Sequence, residues 1–426
     1  MALFLLILFI VILIIGTPIS VAMGFITIGS FVATGGNLIS IPQKMFSGID
    51  NFTYLSIPLF IMASEIMSQC GLTRSLSEMC DTLVGRIKGG LAQTNVLGSM
   101  LFAGVSGSAT ADATGLGRIE IEMMSEAGFS KEYAASVTAA SAIIGPIIPP
   151  SNIMIMYAVA ASNVSVASMF MGGVLPGILL GLAEMTMCYW IAVKENHPRR
   201  DRMATPMEMI RAIWKGLPVI GLMAIIMGGI TFGIFTATEA SAVAVFYALV
   251  VSACLKKLHW KNFYRCCVNT AKTTANVMII IAIASAMGWA ITVMRVPQMM
   301  VQFCMTYINN KYLFLLFVNV LLLFLGCILD QAPALLLMTP ILLPIALKFG
   351  IDPVHFGILM CFNLTIGLIT PPVGMTLFVT ANVAEIKLSA LFKKIMPFVF
   401  VGLIALFMIT FIPGLSTWLP NLVAGK

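Results

Sequence analysis

Apolar runs of about 20 residues recur along the whole chain, separated by short polar or basic segments. At about 1.5 Å of rise per residue, each run can cross a ~30 Å hydrocarbon core as a helix. A transmembrane β-barrel would instead alternate over segments of about 10 residues. The pattern predicts an all-α polytopic membrane protein. The first apolar stretch, residues 2–34, is too long for one straight span and is divided at Gly16-Thr17-Pro18. It reads as one bent helix or two short ones. With no basic start and no clear small-residue cleavage site, it is expected to be a retained membrane segment and not a signal peptide.

Several runs contain segments that do not suit lipid. Residues 104–115, GVSGSATADATG, directly follow an apolar run and carry Asp112. Residues 113–127 hold Arg118, Glu120, Glu122 and Glu126, a poor lipid-facing helix. A re-entrant hairpin over residues 91–127, shielded by protein, fits better than two ordinary spans. Farther on, residues 133–163 are interrupted by IIGPIIPPSNIM, and residues 354–384 by TIGLITPPVGMT. Proline lacks an N–H and pushes the preceding residue out of α geometry. Carbonyls around Gly145–Ile148 and Gly367–Thr370 should therefore lose their intrahelical donors. Such oxygens suit a hard cation. The half-helices restarting near Asn152 and Gly374 would aim N–H groups at an anion.

These features recur at one offset. A shift of 222 residues takes Phe102 to Phe324, Gly104 to Gly326, Gly128 to Gly350, Gly145 to Gly367 and Pro149-Pro150 to Pro371-Pro372, with no gap. The counterpart of the first polar tip is GCILDQAPALLL, within a second hairpin over residues 313–349. Basic residues cluster in 71–90, 194–215, 256–272 and near Lys387, which the positive-inside rule places in the cytoplasm. The halves then run in opposite directions, an inverted-topology repeat of the transporter type. The expected organisation is a first repeat at 1–193, a cytoplasmic linker at 194–216 and a second repeat at 217–426. Ser130 and Asp352 read as helix N-caps, with Pro353 at the first helical position.

Composition adds limits. The chain of 426 residues is 60% hydrophobic and 10% charged, with net charge +7, and its mean hydropathy is +1.02. The positive charge lies in topology-setting loops, so no nucleic-acid partner is expected. Nine cysteines without a C-x-x-C pair read as reduced apolar filler. Among carboxylates in or near spans, Asp112 and Asp330 lie at the hairpin tips and are the functional candidates. Glu65, Glu184 and Glu239 read as structural pairs or near-interface residues. GVSG also has the G-x-S-G form of rhomboid-type proteases, but no histidine lies inside a span to act as base. A channel with opposed re-entrant loops is the remaining alternative, and no repeated filter motif or charge ring supports it. No enzyme is expected.

GTPISVAMG, SIPLFIMASEIM, GVSGSATAD, GFSKEYAASVTAASAIIGPIIPPS, GIFTATEASAVAV and GLITPPVGMTLFV together resemble the large membrane subunit (M, DctM-like) of tripartite ATP-independent periplasmic (TRAP) transporters. The resemblance covers essentially the full chain. It implies an elevator-type secondary transporter of the bacterial inner membrane. It also implies sodium-coupled import of a carboxylate-bearing solute, sialic acid or a C4-dicarboxylate. It implies two partners: a small four-helix membrane subunit (Q), here expected as a separate polypeptide, and a soluble periplasmic binding protein (P). Carried over by motif, one Na+ site would use Ser106, Ser108, Gly145 and Ile148. A second would use Gly326, Gly367 and Thr370, with Met375 nearby. Substrate contacts would come from Ser108, Thr110, Asp112, Pro150, Asn152, Asp330 and Ala332. Another ion-coupled transporter working without a binding protein is the nearest variant of this reading.

Overall fold

The structure is a computed structural model describing residues 8–9, 11–12, 15–200, 202, 204–257, 259–308 and 310–423. Among the described residues, seven helices are long and apolar enough to cross a membrane, or eight if one bent pair is counted as a span. The division expected at Gly16-Thr17-Pro18 is present as a turn, after which α1 (Ile19–Ala33) begins. Much of the apolar stretch before it lies outside the described residues.

The chain continues through α2 (Ser40–Ile49), a short 3-10 turn, α3 (Ser56–Gln69) and α4 (Leu72–Val84). The α3–α4 pair bends by 72° at Gly71, which takes a positive φ open to glycine without a Cβ penalty. Helix α4 is amphipathic: Leu72, Thr73, Leu76, Ser77, Met79 and Cys80 form its buried face, while Arg74 and Glu78 pair on the exposed one. The first hairpin follows as α5 (Gly90–Ser106), α6 (Ala109–Thr114) and α7 (Leu116–Glu126). Next come α8 (Lys131–Ala142), α9 (Asn152–Ala161) and the 29-residue α10 (Val166–Lys194).

The second half comprises α11 (Pro206–Thr231), α12 (Ala237–Cys254), α13 (Trp260–Val293), α14 (Val296–Tyr307), α15 (Lys311–Ile328), α16 (Gln331–Lys348), α17 (Pro353–Gly367), α18 (Met375–Ala384), α19 (Leu388–Phe411) and α20 (Gly414–Val423). Three segments expected as loops are partly helical, 71–90 because it holds α4. The linker is already α11 from Pro206, started by a Thr205–Glu208 capping box. The basic segment 256–272 is helical from Trp260, as the first turns of α13. At 34 residues, α13 is about 50 Å long and must project beyond a ~30 Å core.

The offset of 222 residues carries through the elements. It maps α5 onto α15, α6 with α7 onto α16, α8 onto α17, α9 onto α18 and α10 onto α19, with starts agreeing to within a residue or so. One difference stands out: the second arm of the first hairpin is divided at Gly115, whereas α16 runs unbroken past Pro340 and Pro344.

Packing sorts the helices into two groups. Helices α1, α2, α3, α12 and α13 pack on one another, with α11 against α12. The hairpins, α8 to α10 and α17 to α20 form the other group. Helix α4 touches both, packing on α11 and on α5, and α14 likewise bridges α13 and α16; the groups also meet directly, α13 packing on α16 and α11 and α3 on α5.

Candidate functional site

The first hairpin turns at Gly107, whose left-handed φ of +59° ends α5 and frees the chain to restart at α6. There is also no room for a side chain: a Cβ on Gly107 would lie 2.7 Å from the Pro150 carbonyl oxygen. The tip is thereby pressed onto the first break. Beside it, Ser106 donates its hydroxyl to the Asp112 carboxylate and also reaches the Ser108 carbonyl. Asp112 is 1% exposed. Its other oxygen, Oδ2, has no hydrogen-bond partner and faces the Cα of Gly145, where an added Cβ would collide with it. Ser108 and Thr110 share a hydroxyl contact of 3.2 Å.

The first break runs from Ile143 to Ser151. Its Ala142 and Ile144 carbonyls accept from Gly145 and Ile147 in short turns, and Pro146 accepts from the Ser151 hydroxyl. Gly145 and Ile148 carbonyls receive no backbone or side-chain donor, as expected. Ser151 then caps α9 by accepting from Met154 N–H. The result is a buried set of oxygens (Ser106, Asp112 and the open carbonyls of the break) that donors among the described residues do not saturate.

The second site is built differently. Gly326 and Gly367 meet backbone to backbone; a Cβ on Gly326 would lie 3.1 Å from the Gly367 Cα. Gly374, at φ +60°, donates its N–H to the Cys327 carbonyl at 3.1 Å, joining the hairpin tip to the restart of α18. Not every expected orphan is one. The Gly367 carbonyl accepts from Thr370 N–H at 3.0 Å, and the Thr370 hydroxyl donates to Ile366. The turn tightens instead of opening. The carbonyls of Ile369 and Thr370 are the ones that receive no donor.

Asp330 caps α16, accepting from Gln331 N–H at 2.8 Å. Ala332 and Asn152 are half-buried, Pro150 is buried, and Met375 is 39% exposed at the first position of α18. Both Pro-Pro bonds are cis. The two sites are clasped crosswise: α9, the half-helix after the first break, packs on α16 of the second hairpin, and α18 packs on α6 at the tip of the first.

Side-chain amides hold each hairpin to its broken helix. Asn95 donates to Thr138 at 2.8 Å and accepts from Ser141 at 2.6 Å. In the second half, Asn363, the counterpart of Ser141 at the same offset, donates to Asn319 at 2.9 Å, and Asn319 donates to Thr410. Thr365 also donates to Gln331 at 3.1 Å across the second tip. None of these was singled out from sequence. A polar residue within an apolar helix was the one available signal, and it does not name the partner.

Of the other carboxylates, Glu239 completes the capping box of α12, and Glu65 accepts from Asn269. Both are structural, as expected. Glu184 is not a structural pair: it is fully buried and neither oxygen has a partner. Glu65 and Asn269 line a cleft of about 200 Å³ with Ser64 and Ser68, facing Ala111, Thr114 and Gly115 of the first hairpin tip. The cysteines are all free.

The sequence profile of the DctM component of tripartite ATP-independent periplasmic transporters matches residues 6–415. The chain belongs to the TRAP transporter large-permease family. It is thus a multi-pass protein of the bacterial inner membrane and a transporter, not an enzyme. Among its relatives is the sialic acid TRAP transporter large permease protein SiaM of Vibrio cholerae, 36% identical over 96% of this chain and 96% of that protein. The C4-dicarboxylate large permease DctM of the same organism is also 36% identical, over 97% of this chain and 96% of that protein. YgiK of Salmonella typhimurium, an uncharacterized protein, is 39% identical over 98% and 96%. In overall fold the chain is similar to the YdaH transporter of Alcanivorax borkumensis, with a TM-score of 0.65 at 13% identity over 87% of each chain. It is also similar to MtrF of Neisseria gonorrhoeae, with a TM-score of 0.61. That likeness extends the all-helical transporter fold to chains with little sequence in common.

Proposed function

We propose that this large permease imports a carboxylate-bearing solute by coupling it to sodium, with a periplasmic binding protein delivering the solute and a small membrane subunit bracing the permease. The observation that carries the reading is the cluster of Ser106, Asp112 and Gly145: buried oxygens, one of them an unpartnered carboxylate oxygen, at the junction of a hairpin tip and a helix break. Sodium, a hard cation carried as co-substrate, prefers such oxygen ligands. Ser106, Ser108, Gly145, Ile148 and Asp112 would hold one ion. The Gly326–Gly367 contact, with Thr370 and the Met375 end of α18, would frame the second.

The solute carboxylate would lie between the tips, near Ser108, Thr110, Pro150 and Asn152 on one side and Asp330 and Ala332 on the other. Relatives named for sialic acid and for C4-dicarboxylates support a small organic acid without choosing between them. The common offset of the two halves supports an inverted repeat. The division of the packing into two groups supports an elevator, in which the hairpin group moves against α1–α3 and α11–α13. Helices α4 and α14 would be the connecting arms.

The test is uptake into proteoliposomes holding this permease with its small subunit, with the binding protein outside. An inward sodium gradient should drive accumulation of the acid, and potassium should not. Equal uptake in both salts would refute sodium coupling. Conductance without saturation would refute the carrier.

A further inference from the structure

At one end of the hairpin group, the starts of α15 and α17, the end of α19 and the helix α20 surround a cleft of about 290 Å³. Lys311, Asp352 and Asn421 stand at its exposed rim, and His355, Thr410 and Thr417 line it farther in. The first half has packed rings where the second has this cleft. The 222-residue shift pairs Phe129 with Ile351 and Tyr133 with His355. Phe129 and Tyr133 stack with centroids 6.1 Å apart, and both rings lie against His197. Ile351 and His355 instead line an opening.

His355 is 2% exposed. Its Nδ1 meets the Ser416 hydroxyl oxygen at 2.7 Å. Ser416 has a single hydroxyl proton and donates it to the Pro413 carbonyl at 3.1 Å. Ser416 therefore accepts from Nδ1, which carries the imidazole proton. Nε2 is left as a buried lone-pair acceptor on the cleft with no hydrogen-bond partner. Thr410 lines the same cleft, but its carbonyl is an acceptor too. A buried acceptor of this kind calls for a donor from a ligand.

The rim supplies a charge. Lys311 forms no salt bridge among the described residues and lies over the Tyr312 ring, 5.3 Å from its centroid. Asp352 is the one carboxylate on the cleft, and its Oδ1 accepts from the Val354 and His355 N–H groups at 2.8 and 3.0 Å. Its charge is thus engaged by the start of α17, and Lys311 is free to meet an anion. A metal ion would also take Nε2. Among the described residues, however, no three His, Cys, Asp or Glu side chains gather to hold one, and Lys311 would repel it.

We propose that this cleft is a second small-molecule site, for an organic acid that carries a hydrogen-bond donor beside its carboxylate. The carboxylate sits on Lys311, and the hydroxyl or ammonium group donates to His355 Nε2. The Asn421 amide at the rim can serve either group. Lys311 opens α15 and Gly326 nears its end, so the cleft lies about 22 Å along that helix from the second hairpin tip. On the transport topology proposed above, this end faces the periplasm, where the solute arrives. The site itself does not depend on that reading.

Nitrogen NMR of the full-length permease, with isotope-labelled histidine and in potassium salt, tests this without reading uptake. The chain has three histidines, and His197→Gln and His259→Gln identify the signals of His355 by elimination. In the free protein the proton should lie on Nδ1. Malate, with a hydroxyl beside a carboxylate, should shift the Nε2 signal saturably. Succinate, the same chain without the hydroxyl, should need about tenfold or more higher concentration. Lys311→Gln, at an exposed position, should weaken malate by about tenfold or more. A proton on Nε2 in the free protein, or no shift with malate, would overturn the site. A shift that Lys311→Gln leaves unchanged would place the acid elsewhere and overturn it as well. An equal response to succinate would overturn the donor contact. Each result stands whether or not sodium drives transport.

Discussion

A methyl group on Gly367 would lie 2.5 Å from the carbonyl carbon of Gly326. Two backbones from distant parts of the chain touch at the tip of the second hairpin, and only glycine at both positions permits it. We predict that Gly367→Ala costs about 1–3 kcal/mol of stability, as overpacking typically does. Melting in detergent measures this directly. Retention of wild-type stability and uptake would mean that the contact is looser than described.

Asp112 keeps one oxygen bonded to Ser106 and leaves the other open. We predict that Asp112→Asn folds normally but loses about tenfold or more in uptake, because an amide cannot supply the negative oxygen. The sodium-dependent rise in melting temperature expected of wild type should shrink with it. A mutant that keeps the full sodium response would remove Asp112 from the ion site.

The amide of Asn95 serves Thr138 and Ser141 at once. Asn95→Ala takes the donor from the buried Thr138 hydroxyl and leaves Ser141 with only its 3.2 Å bond to the Thr138 carbonyl, at a cost of about 1–3 kcal/mol. Asn95→Asp should not rescue it, since it buries a charge with no counter-ion beside it. If the alanine variant melts with wild type, the network is not a structural tie.

Near the end of α10, burial pushes the His197 imidazole below its usual value of 6.5, the nearby Glu195 opposing this. The unfolded chain therefore takes up that proton first as pH falls. Stability from this residue is intact above pH 6.5 and declines below it. Glu195, held below its usual 4.5 chiefly by the hydrogen bond from Lys394, adds a second loss at lower pH. We predict that His197→Gln flattens the melting temperature between pH 7 and pH 5, a window read by a simple pH series. An unchanged slope would assign that loss to other groups.

The architecture was legible where a local rule sufficed. Proline pairs mark both breaks, and Ser130 and Asp352 cap their helices as read from sequence. What stayed hidden depends on distance. Nothing near Asn95 or Asn363 announces a partner more than 40 residues away. Asp330 reads as a ligand or a cap, since an acidic residue before a helix serves either purpose, and one of its oxygens caps α16. The basic segment 256–272 looked like a loop because its charges signal topology, while from Trp260 its backbone is the start of α13. Glu184, expected as a structural pair or a near-interface residue, has no counter-ion among the described residues.

The crosswise clasp has a consequence for ancestry. Each half lays its restarted half-helix on the other half's hairpin while its own hairpin tip presses on its break, so both halves are needed to pack either break. On the repeat reading, a half-length forebear would have needed a second copy inserted upside down in the same membrane. Fusion of two such copies into one gene would then have fixed the pairing, freeing each to diverge, as Tyr133 and His355 have done.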